Sequence, residues 1–234
     1  MKNTYIPLAI ASLFITSTPA LAALSSTVNV ASDYTFNGVS QTQENPALQA
    51  SLDYANDSGF YAGAWASNVD FGGEDDTNLE FDVYVGQYFQ LNEKLGLDAG
   101  IAYYTYHGDS ASSSYNYPEA YAKLNYVSAL GTSELNYWYS WDYFGLDVGH
   151  RIAMVAHTVE IAPNHNVKFT FDRSMSNDSN IWAWDGKKDY NHYRVAYMTT
   201  WKAFDFALAV EDTNMNIDIA DTRVVLSVSK TFDL

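Results

Sequence analysis

Carboxylates are the most frequent chemistry-bearing side chains in this 234-residue sequence, and many recur at every second position within apolar stretches. Asp33, Asp53, Glu80, Asp82, Asp98, Glu119, Glu134, Asp142, Asp172, Asp205 and Glu211 fall on one polar parity, shared with a few bases, Lys123, Lys168, Arg194 and Arg223. Such a row makes a negative wall, which lowers the energy of cations beside it and raises that of anions. Catalysis finds no comparable support. His107, His150, His157, His165 and His192 are scattered, and no serine stands in a G-x-S-x-G context. No H-E-x-x-H, glycine-rich phosphate loop or zinc spacing appears, so no catalytic residue, metal site or cofactor is expected. Asp70, Glu74, Asp75 and Asp76 cluster in NVDFGGEDDTN, but their spacing fits no calcium loop.

Composition narrows the class. Asp and Glu number 28 against 12 Lys and Arg, a net charge of −16 that argues against binding nucleic acid. Cysteine is absent, which removes disulfides and thiolate chemistry. Aromatic residues make up 16%, too many for a disordered acidic chain. The opening MKNTYIPLAIASLFITSTPALA has a basic Lys2, an apolar run from Ile6 to Ile15, and a closing Ala20-Leu21-Ala22. These are the marks of a secretory signal. Cleavage after residue 22 is expected, leaving residues 23–234 as a single domain.

The elements that carry the carboxylates read as strands. Leu48, Ala50, Leu52 and Tyr54 alternate with Gln49, Ser51 and Asp53; Leu79, Phe81, Val83 and Val85 alternate with Glu80, Asp82 and Tyr84. The same period of two continues to Phe232, and no stretch after the signal holds a period of 3.6. About twelve strands result, each near the ~10 residues of a tilted membrane-spanning strand, or ten if residues 59–67 are not a full span. Long connections (residues 68–78, 107–116 and 174–189) alternate with short ones (56–58, 91–93, 163–165 and 202–203). That sorting is the mark of an antiparallel up-and-down transmembrane β-barrel with short turns at one end.

Aromatic placement points the same way. In ELNYWYSWDYFG, residues 134–145, rings occupy both parities, which a strand with one wet face does not explain. Tyr34, Phe36, Tyr54, Tyr103, Tyr126, Tyr137, Trp141, Tyr193 and Trp201 lie near strand ends on the apolar parity, where two membrane-interface girdles are expected. Tyr84, Tyr104, Tyr117, Tyr121 and Trp138 are expected to point inward. In the longest connection, Ile181, Trp182 and Trp184 need cover, and are expected to fold into the barrel mouth as a constriction.

Residues 31–71 carry SDYTFNGVSQT, NPALQASLDY and SGFYAGAWASNVDF, followed more loosely by NLEFDVYVG. These pieces resemble the N-terminal signature of the TorF family of porin-like proteins. The sequence departs from that pattern at Asn37, where a basic residue often precedes the glycine. The final RVVLSVSKTFDL resembles the terminal strand read by the barrel-assembly machinery of Gram-negative bacteria, although Leu234 follows the aromatic Phe232. The resemblance implies a porin-like barrel of the outer membrane without naming its cargo; contact with outer-membrane lipid and passage of small hydrophilic solutes or ions are expected of such a barrel. Its acidic lining points to weak cation preference or neutral solutes. The alternative is a largely plugged barrel acting through its outer loops. A soluble barrel holding an apolar ligand is the remaining contrast.

Overall fold

Period-two patterning in long segments gives strands, and in this chain each long strand finds a partner on both sides. The computed structural model describes residues 23–234; the signal expected over residues 1–22 lies outside them. In chain order the strands are β1 (Ala23–Ala31), β2 (Thr35–Phe36), β3 (Val39–Ser40), β4 (Ala47–Ala55), β5 (Phe60–Asn68), β6 (Leu79–Gln90) and β7 (Leu95–His107). There follow β8 (Tyr117–Ser128), β9 (Gly131–Ser140), β10 (His150–Ala162), β11 (His165–Ser176), β12 (Asp189–Trp201), β13 (Phe204–Thr213) and β14 (Arg223–Asp233). All but β2 and β3 form one closed 12-strand antiparallel barrel, in which β1 pairs with both β4 and β14. Strand lengths between 9 and 13 residues suit a tilted crossing of a hydrocarbon layer.

The two faces are inverted relative to a soluble barrel. Val30, Leu48, Ile101, Leu135, Phe169 and Val224 point outward and stay exposed, Leu48 at 61%, whereas Glu80 is 2% exposed and Asp172 0%. An apolar exterior around a charged interior is the arrangement that meets lipid. The residues of ELNYWYSWDYFG divide accordingly: Tyr137 and Trp141 face out, while Trp138 is buried inside.

Strand β5 is a full span, which excludes ten strands. Its parity is obscured by small residues that have a packing purpose. A Cβ on Gly63 would lie 2.6 Å from the ring of Tyr84 on β6, so the ring covers a bare backbone across the strand pair.

Tyr34 and Phe36 depart from the girdle expectation. The ladder of β1 ends at Ala31, with Ser32 N bonded to Leu226 O at 2.8 Å, and the chain then turns into the barrel. Asn37 (φ 49°) and Gly38 (φ 80°) form the tight turn that joins β2 to β3. Both rings therefore lie inside, Phe36 against Tyr61, Tyr121, Trp138 and Ile152.

Val155→Arg, on the lipid face in the middle of β10, should destabilise the folded barrel by about 2–4 kcal/mol, against about 0–1 kcal/mol for Leu24→Arg near a rim. Reversible denaturant unfolding in lipid vesicles measures both.

Candidate functional site: the barrel interior

The interior is built around the β2–β3 hairpin, which spans the lumen between opposite walls. At its base, Asp33 Oδ1 accepts hydrogen bonds from Ser40 Oγ (2.7 Å) and Thr42 Oγ1 (2.9 Å), while Oδ2 takes Arg223 Nη1 at 2.9 Å. At its tip, Asn37 Nδ2 donates to Asp172 Oδ1 at 2.8 Å. Gly38 approaches so closely that a Cβ there would stand 2.6 Å from both the His192 ring and the Thr213 methyl group. Across the lumen, Tyr34 lies edge-on to Trp65 at 5.4 Å and beside Glu80. A segment of alternating sequence thus became a cross-brace, because the Asn-Gly pair supplies two positive φ values in succession.

The walls divide by charge. On the β11–β13 side Asp172 Oδ2 meets His192 Nδ1 at 2.7 Å, and Glu211 Oε2 meets His192 Nε2 at 3.5 Å and Arg194 Nη1 at 2.7 Å. Lower in the barrel Lys168 Nζ bonds Glu134 Oε1 at 2.8 Å, and Lys123 lies 4.0 Å from Asp98, whose Oδ1 also accepts from Tyr61 Oη. Asp53 accepts from Tyr84 Oη and Ser51 Oγ, and Asp205 from Thr200 Oγ1. Glu119 accepts from Tyr104 Oη at 2.9 Å, and Glu80 from Tyr106 Oη at 3.3 Å. Among the described residues, Asp53, Glu80, Asp82 and Asp205 make no ion pair. Glu80 Oε2 and Asp82 Oδ1 are buried without a protein donor. Asp142 lies apart from the strands, in the connection after β9, where Asp147 N donates to it at 2.7 Å.

An aromatic lid packs at the end that carries the long connections. Tyr106, Tyr117, Tyr143, Trp184 and Tyr190 are buried together, with Phe71, Phe144 and Trp182 packed against them. Phe144 stacks on Trp182 at 5.4 Å, and Tyr143 lies 4.0 Å from the His150 ring. Trp182 and Trp184 belong to this lid, whereas Ile181 remains 50% exposed. Asp75, in the β5–β6 connection, is held below the usual carboxylate range by hydrogen bonds from Thr77 and Tyr115. The link from Asp75 to Tyr115 therefore holds at neutral pH and is released as pH falls through that depressed value. Among the described residues no group of three or more His, Asp or Glu is arranged to hold a metal ion. Ser133 Oγ does lie 3.0 Å from His157 Nδ1, but the two are directly opposite each other on the outer face of β9 and β10, where such a cross-strand pair arises from register alone.

Residues 17–232 match the family model described as "Bacterial protein of unknown function (Gcw_chp)". The chain belongs to the Gcw_chp family. No curated protein matches it. The barrel is similar to solved structures of the KdgM porin (TM-score 0.57, 10% identity, 90% of this chain and 99% of that one). It is also similar to the COG4313 outer membrane channel from Pseudomonas putida F1 (TM-score 0.58, 9% identity, 96% and 100%). The CymD monoaromatic hydrocarbon channel aligns with TM-score 0.53 at 10% identity, over 93% and 89% of the two chains. At these identities the likeness is one of fold.

Sequence reasoning did not find the hairpin or the role of His192 in it. The available signal was Asn37-Gly38, a pair that favours a tight turn. Gly38→Val should unseat the hairpin, costing more than about 1 kcal/mol because it combines a positive φ with a collision. Asn37→Ala, which removes one hydrogen bond to a carboxylate, should cost about 1.5–3 kcal/mol. Denaturant unfolding gives both values, and quenching of Trp65 fluorescence reports whether Tyr34 has left its side.

Proposed function

We propose that the mature chain, exported by a signal within residues 1–22, is a narrow channel of the Gram-negative outer membrane for small hydrophilic solutes, with weak preference for cations or neutral molecules. The observation that carries this reading is the imbalance of interior charge. Lys123, Lys168, Arg194 and Arg223 each lie against a carboxylate, whereas Asp53, Glu80, Asp82 and Asp205 have no cationic partner among the described residues. Carboxylates left without counter-charge in a low-dielectric barrel attract cations and repel anions. Asp33, Asp98, Glu119, Lys123, Glu134, Lys168, Asp172, Arg194, Glu211 and Arg223 line the same passage in this reading, and Trp182 with Trp184 narrows its outer mouth.

The likeness to porins and channels, and the TorF resemblance of residues 31–71, support the same class. One solved KdgM porin structure is a complex with disordered oligogalacturonate, a polyanion. The excess of carboxylates here argues for a different cargo. Passive passage needs no catalytic residue.

The hairpin and lid together favour a second reading, a plugged barrel that acts through its outer loops. Single-channel recording of the refolded chain in a planar bilayer under a KCl gradient separates the two. Steady openings with a cation-selective reversal potential are expected, and a severalfold larger conductance after residues 35–40 are replaced by Gly-Gly. Silence from both inserted forms would leave the plugged reading, and an anion-selective pore would overturn the assignment of the lining.

A further inference from the structure

Bases are scarce in this chain, and their positions are uneven. Lys123, Lys168, Arg194 and Arg223 lie within the barrel, while Lys94, Lys202 and Lys230 lie toward the short-turn end. The other bases among the described residues, Arg151, Arg173, Lys187 and Lys188, all fall on one sector, β10 to β12, at the end with long connections.

Arg151 and Arg173 face outward. Their neighbours His150, Ile152, Asp172 and Ser174 are buried inside, so alternation sends both guanidinium groups to the exterior. Register sets Arg151 opposite Met175 and Arg173 opposite Ala153, which makes the two arginines diagonal neighbours on adjacent strands. Tyr139 lies opposite Arg151 on β9, and Tyr137 lies opposite Ala153. One step deeper, Phe171 and Tyr193 pair their rings at 5.3 Å. The arginines therefore stand at the upper edge of an aromatic belt, the depth of lipid headgroups.

A guanidinium on the lipid face needs a counter-charge. Arg151 makes no hydrogen bond or ion pair with any described residue, and its Nε is buried without an acceptor. Arg173 meets Asp189 at 2.7 Å yet keeps 45% of its side chain exposed. Above them, Lys187 pairs with Asp185 at 3.7 Å and keeps 48% of its side chain exposed, and Lys188 is exposed beside it. Below lie Val155, Phe169 and Val195, an exposed apolar surface of the kind acyl chains cover.

We propose that this sector binds the phosphorylated headgroup of an outer-leaflet glycolipid, with Arg151 as its main anchor and Arg173 as its second. A guanidinium fork matches a phosphate in two parallel hydrogen bonds, which an ammonium cannot do. The acyl chains of the same lipid then lie along β10 to β12, below the arginines. This site rests on the reading of the chain as an outer-membrane barrel with its long connections outward.

Native mass spectrometry of the refolded protein tests it, with bis-phosphorylated lipid A, fully dephosphorylated lipid A and inorganic phosphate as probes. The wild-type protein should retain the bis-phosphorylated form about tenfold more than the dephosphorylated form. The double variant R151Q/R173Q should lose that preference, and K94Q/K202Q at the opposite rim should keep it. Equal retention by wild type and R151Q/R173Q would overturn the site. Displacement of lipid A by inorganic phosphate at comparable concentration would overturn the lipid as its source. Insertion is read separately by heat-modifiable gel mobility. A chain that never inserts overturns the membrane reading along with the site, whereas an inserted chain indifferent to the lipid phosphates overturns the site alone.

Discussion

A hydrocarbon layer offers no hydrogen bond to a peptide group, and the architecture of this chain follows from that constraint. A sheet facing lipid has to give every strand two partners, because an unpaired edge leaves a row of bare N–H and C=O groups. Pairing of β1 with β14, from Ser25 opposite Asp233 to Ala31 opposite Ser227, removes both edges the meander would have had. Closure then fixes the direction of every side chain. Apolar residues go out and polar residues go in, so the same alternation that would make a soluble sheet here encloses charge.

Twelve strands enclose more room than their own inward side chains can fill. Two devices occupy the remainder, the hairpin at Thr35–Ser40 and the aromatic lid from the long connections. The hairpin is held by charge at both ends, Asp33 with Arg223 at its base and Asn37 with the Asp172–His192 pair at its tip. Burying such groups is costly, and a buried pair adds little net stability over an apolar one. What it adds is position: Arg223 and Asp172 each accept one geometry of the hairpin, and a slip of one residue would leave a charge without a partner. Tyrosines extend the same logic. Tyr61, Tyr84 and Tyr104 are long enough to carry a hydroxyl from one strand to a carboxylate on another, and so tie the wall together without further charge.

The structural relatives share about a tenth of their residues with this chain. What persists across that distance is the barrel fold. A likeness at this distance is one of fold, and cargo has to be argued from the lining of this chain.

Alternation and the direction of carboxylates such as Glu80 and Asp82 on the strands were legible in the sequence because they depend on residues next to one another. Glu80 and Asp82 point inward for the same reason that Phe81 and Val83 point outward. Three things were decided only by tertiary structure. Tyr34 and Phe36 carry the right parity for a girdle, yet the ladder ends at Ala31 and the chain turns inward. His192 gains its partners from Asp172 on β11 and Glu211 on β13, which register alone brings to its level. Arg151 and Arg173 became neighbours only when β10 paired with β11. A period is a property of one strand, whereas a charge pair or a row of cations belongs to two or three, and the register between strands is set by closure of the whole barrel.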